Sequence, residues 1–94
     1  MINICGIPHK VIEVEDDFDN YVSHFGQVDY KSAVIKICKD MSQEVKQTTL
    51  IHEILHAILV HIGEDEKAQD EKFVQTLAIA INGTFEIKRG ADDD

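Results

Sequence analysis

Leu50-Ile51-His52-Glu53-Ile54-Leu55-His56-Ala57-Ile58-Leu59 is the stretch that decides how this chain folds and where its chemistry sits. Apolar residues recur three and four apart through it and on to Ile62, the spacing of an amphipathic α-helix with a broad buried face. Such a face needs cover from both a sheet and another helix. Residues four apart on a helix stand one above the other, so His52 and His56 point the same way and can reach one metal ion. Glu53 turns about 100° from His52 and about 60° from His56, which leaves it beside the ion instead of on it, where a general base belongs. This is the HExxH pattern of zinc hydrolases.

Working outward, Asp40 or Ser42 caps the helix and Gly63 stops it, giving a span of 42–62. Asp40 and Gln43 have capping-box spacing. A polar link, Glu64 to Glu66, leads into a second helix over 66–82, with Phe73, Val74, Leu77, Ala78 and Ile81 as its inner stripe and Asn82-Gly83 as its stop. Thr84 to Lys88 has the composition of a last strand.

The first 38 residues read mostly as strands. Met1 to Cys5 and Lys10 to Glu15 flank Gly6-Ile7-Pro8 as a hairpin, and Gln27 to Tyr30 with Ser32 to Cys38 reads as a second. Between them, Asp16 to Ser23 suggests a helical turn with Phe18 and Tyr21 or Val22 inward. The expected fold is therefore α+β: one domain over 1–94, with a small antiparallel sheet packed on the HExxH helix and a second, C-terminal helix, and an acidic tail at 89–94.

Eighteen acidic residues against nine basic ones give a net charge of −9, which argues against a nucleic-acid backbone or an anionic membrane as partner. No apolar run approaches bilayer-spanning length. Cys5 and Cys38 lie in separate apolar segments with no signal-peptide pattern ahead of them, and both read as buried, reduced thiols of a cytoplasmic protein.

A catalytic zinc takes three protein ligands and keeps a fourth position open, so two histidines are not enough. His61 lies about 140° around the helix from His56 and faces away. The longer metzincin pattern needs a histidine where Ile62 stands. An antiparallel second helix brings Asp70 or Glu71 to the height of His56, since His56 is seven residues before Gly63 and Glu71 eight after it. Asp70 sits nearer the middle of the apolar stripe, while Glu71 has the longer reach. Thr49, one turn before Glu53, is a candidate for shaping the site. Tyr21, His24, Tyr30 and His9 are candidates to assist an oxyanion, and spacing selects none of them.

Thr49 to Ile58, preceded by the strand Ala33 to Cys38 and followed by Glu71-x-x-Val74-x-x-Leu77-Ala78, resembles small phage- and prophage-type HExxH zinc peptidase-like proteins, distant relatives of the ImmA/IrrE peptidases. The likeness runs from about Met1 to Ile81. It implies a minimal zincin- or gluzincin-like domain, zinc held by His52, His56 and Glu71, water activation by Glu53, and a peptide or protein as substrate, with Ala33 to Cys38 as an edge strand that holds it. It also allows a non-catalytic binding module that retains the peptidase scaffold, with zinc structural or absent.

Overall fold

The computed structural model describes residues 1–15 and 25–85. The expected helical turn after Glu15, Tyr21, His24, most of the expected last strand and the acidic tail lie outside the described residues. Four strands, β1 (Ile2–Ile4), β2 (Ile7–Val14), β3 (Gly26–Asp29) and β4 (Val34–Cys38), precede three helices, α1 (Gln43–His61), α2 (Asp65–Ala68) and α3 (Glu71–Asn82). The result is a small α+β domain.

The first hairpin turns on Cys5 and Gly6, whose φ angles of 52° and 84° suit a two-residue primed turn and bring Ile4 opposite Ile7. Cys5 is consequently exposed, and only Cys38 of the two free thiols is buried, which corrects the expectation for Cys5. β3 and β4 form the second hairpin, its connection held by the Asp29 carboxylate, which accepts from the backbone N–H groups of Lys31 and Ser32.

The sheet is mixed and not antiparallel: its order is β1-β2-β4-β3, and β2 pairs with β4 in parallel. The connection from β2 to β4, residues 15–33 with β3 inside it, exceeds the length of about a dozen residues that a parallel pair requires. This arrangement puts the most apolar strand inside. Ile35 and Ile37, at 0% and 2% exposure, lie between two neighbouring strands, while the polar Gly26–Asp29 strand takes the edge.

Helix α1 is the centre of the molecule. Leu50 and Ala57 pack on the sheet with Ile4, Ile35 and Ile37, whereas Ile51, Leu55 and Leu59 pack on Val74 and Ala78 of α3. The broad apolar face thus has the two-sided cover its spacing demands. Ser42 starts the helix by accepting from the Val45 N–H at 3.2 Å. Gly63, at φ 83°, ends it: its own N–H reaches Val60 O and the Glu64 N–H reaches Leu59 O, the paired bonds of a Schellman turn. Ile62 falls just beyond and is 58% exposed.

The second helical segment departs from the continuous 66–82 helix read from the sequence. It breaks after the single turn Asp65–Ala68, and Asp70 caps a new helix by accepting from the Phe73 N–H at 3.0 Å. A short acidic side chain that bonds the backbone ahead of it favours a fresh start over continuation. The new phase turns Val74 and Ala78 fully inward and leaves Phe73 exposed, against the expected stripe. Thr84 lies in a turn, and Phe85, the last described residue of the expected strand, has no strand conformation.

Candidate metal centre

His52 and His56 stand one above the other on α1, their rings 4.7 Å apart between centroids. Opposite them, Glu71 opens α3. Because Asp70 restarts the helix, Glu71 is its first residue, where the positive end of the helix dipole favours a carboxylate. Asp70 itself is engaged as the cap, so its carboxylate is directed at the backbone. Of the two carboxylates that spacing left open, the fold brings Glu71 to the histidines.

The geometry is close. His52 Nε2 lies 2.9 Å from Glu71 Oε1, His56 Nε2 lies 3.2 Å from Glu71 Oε2, and the two Nε2 atoms are 3.1 Å apart. On its other side, His52 donates from Nδ1 to the Gln75 carboxamide oxygen at 2.7 Å. That bond leaves Nε2 with a lone pair, aimed at a carboxylate oxygen and at a second imidazole. Three electron-pair donors meeting in this way need a cation or a shared proton among them. A tetrahedral zinc with bonds of about 2.0–2.1 Å separates its ligand atoms by about 3.3–3.4 Å, a few tenths of an ångström beyond the spacings here. Two imidazole nitrogens and a carboxylate also form a known catalytic-zinc donor set. The His52, His56 and Glu71 group can therefore hold a metal ion.

Glu53 is on the sheet side of the histidines and only 8% exposed. Burial, with the Glu71 carboxylate adding to it, pushes its carboxyl up to about 8. Its neighbour in space is Gly26 of β3. A Cβ built there would stand 2.9 Å from Thr49 Cγ2, 3.1 Å from Glu53 Cγ and 3.2 Å from Lys36 O, so the strand can lie this close to the helix only without a side chain. Thr49 thus does shape the site, through contact with β3.

The group opens on a cleft of about 870 Å³ with α1 as its floor and β3 and α3 as its walls. Of the oxyanion candidates, Tyr30 lines this cleft with Glu53 and His56. Burial raises its hydroxyl pKa, and the charges of Glu53 and Glu71 raise it further, so it stays protonated. His9 is not there: it is fully buried, donates from Nδ1 to Ile7 O, and stacks edge-on against His61. His61 is likewise outside the metal group, as its angle on the helix foretells.

The expected substrate-holding strand is also corrected. β4, which covers Val34–Cys38, is an inner strand, and among the described residues the strand with a free edge beside the cleft is β3. Since Phe25 O accepts from Cys38 N, alternation along the strand directs the backbone groups of Gly26 and Val28 away from β4, toward that edge.

Sequence reasoning missed Gln75 and Gly26. Gln75 follows Glu71 by four residues and so shares its helix face, a relation open to inspection once Glu71 is chosen. Gly26 gives no such signal. Comparisons with family models, with curated proteins and with solved structures each returned no match. Among the described residues no helix is long and apolar enough to cross a membrane.

Proposed function

We propose that this protein is a zinc-dependent peptidase, a minimal zincin-like hydrolase in which His52, His56 and Glu71 hold the ion and Glu53 is the general base. The observation that carries this reading is the meeting of both Nε2 atoms and the Glu71 carboxylate within 3.2 Å, next to a buried carboxyl that is not itself a ligand. Bound zinc would polarise a substrate carbonyl and acidify water enough for proton removal near neutral pH.

The chain's own groups supply the rest. Glu53 takes the proton from the attacking water and returns it to the departing amine, a transfer suited to a buried carboxyl that stands beside the three metal-holding side chains and outside their group. Tyr30, protonated and in the cleft, donates to the carbonyl oxygen as its negative charge grows. Gln75 holds the His52 ring with Nε2 toward the ion. The edge of β3 that no described strand covers offers Gly26 and Val28 backbone groups to an extended peptide, which binds as an added strand.

The test is zinc analysis and peptide cleavage by the parent and by Glu53→Gln. The expected result is one zinc per chain in both, with turnover at least ~100-fold lower in the variant. A parent that holds no zinc, or a variant that cleaves as well as the parent, overturns the reading.

A further inference from the structure

The cleft extends well past the metal group, and its far end has a different character. Val45, Thr48 and His52 lie along one face of α1, at intervals of three and four residues, and Glu44 borders Val45. Across from them, Ile79 is one turn beyond Gln75 on α3, and Phe25 precedes β3. Val45, Phe25 and Ile79 are 39%, 50% and 57% exposed, so three large apolar residues that the core does not use border one end of one groove. Glu44 adds a carboxylate there. Among the described residues no lysine or arginine lines the cleft.

We infer that the cleft selects extended chain segments with a bulky apolar side chain and, two residues from it, a lysine or arginine, a few residues to one side of the bond to be cut. The inference rests on the peptidase reading and specifies its substrate class. The distance follows from the helix. Val45 is seven residues before His52, about 10 Å along α1, which an extended peptide spans in about three residues. An apolar side chain at that point covers Val45 and Ile79, and a cation two residues away, on the same face of the extended chain, faces Glu44. An acidic segment meets the Glu44 carboxylate and a chain of net charge −9, and is repelled.

The experiment uses the full chain carrying Glu53→Gln, loaded with zinc, and three fluorescent extended peptides that differ at two positions separated by one alanine and named by those two residues: Leu-Lys, Leu-Glu and Ser-Lys. Anisotropy titration is expected to show Leu-Lys binding about tenfold more tightly than either of the others. Adding Glu44→Lys is expected to reverse the preference between Leu-Lys and Leu-Glu, and adding Val45→Ser to remove the preference between Leu-Lys and Ser-Lys, with zinc content unchanged in both. Equal binding of the three peptides, tightest binding of Leu-Glu, or a ranking untouched by both substitutions overturns the inference. Cleavage by the parent separates the two readings: cleavage without this ranking removes the selectivity alone, and the ranking without any cleavage removes the peptidase activity alone.

Discussion

The Gln75 carboxamide oxygen lies 2.7 Å from Nδ1 of His52, and through that bond a residue which touches no ion decides which nitrogen of the ring is free to bind one. Both Gln75 and Glu71 sit on the same face of α3, so one helix carries one candidate ligand and orients another. The expected consequence is that Gln75→Ala lowers zinc affinity by about 10–100-fold, while Gln75→Glu, which keeps an acceptor oxygen, retains most of it. Competition titration against a zinc-binding dye checks this. Equal affinity in the Ala variant and the parent would show that the ring needs no such hold.

Metal removal should be visible in stability. The ligands come from α1 and α3, and a cation that binds the folded state alone stabilises it by mass action. With free zinc at about 100 times its Kd, the gain is about 2.7 kcal/mol, or about 10 °C or more in Tm for a domain of this size. Chelation is expected to reverse that shift, and Glu71→Ala to abolish most of it. A melting curve indifferent to zinc would mean that the three side chains do not act together.

The metal-free protein is expected to lose stability as pH rises through neutrality. Glu53 is raised from 4.5 to about 8 in the folded state, so between those values the folded chain holds a proton that the unfolded chain has released. The contribution is complete below about pH 4.5 and is lost as pH climbs through about 8, amounting to a few kcal/mol in order of magnitude. Denaturant melts at pH 5.5 and 8.5 should show this fall in the parent and a smaller one in Glu53→Gln, which carries no titrating carboxyl. Identical slopes in the two proteins would place the buried proton elsewhere.

Gly26→Ala is expected to destabilise the domain by about 1–3 kcal/mol, because its Cβ meets Thr49 Cγ2 at 2.9 Å and the backbone oxygen of Lys36 at 3.2 Å. Thr49→Ser removes the nearer of these atoms. The double variant should therefore recover part of the loss, as a thermal double-mutant cycle would reveal. Strict additivity would show that the contact with Thr49 is not the cause.

Much of this was legible in the chain because it is local. Periodicity places α1, Gly63 marks its end while Asp40 and Ser42 compete to mark its start, and the four-residue interval of His52 and His56 determines their common direction. Other features depend on partners far away in sequence. Nothing in Val34 to Cys38 says that it will run parallel to β2, since strand order is set by which strands bury Ile35 and Ile37 best. Gly26 matters through a helix more than twenty positions later. The restart at Asp70 was hidden for a different reason: the same aspartate reads as a mid-helix polar residue or as a cap, and which of the two it becomes depends on how Val74 and Ala78 meet α1.

Helix α1 is clasped between two apolar layers, whereas α3 leans on α1 from one side and shows Glu71, Lys72, Phe73 and Gln75 to water. Backbone amides around His52 and His56 should consequently rank among the slowest to exchange with deuterium, and those of the first turn of α3 among the faster. An ion seated here would be gripped by a rigid jaw and a yielding one, and its residence time would be governed by how often the yielding jaw lifts.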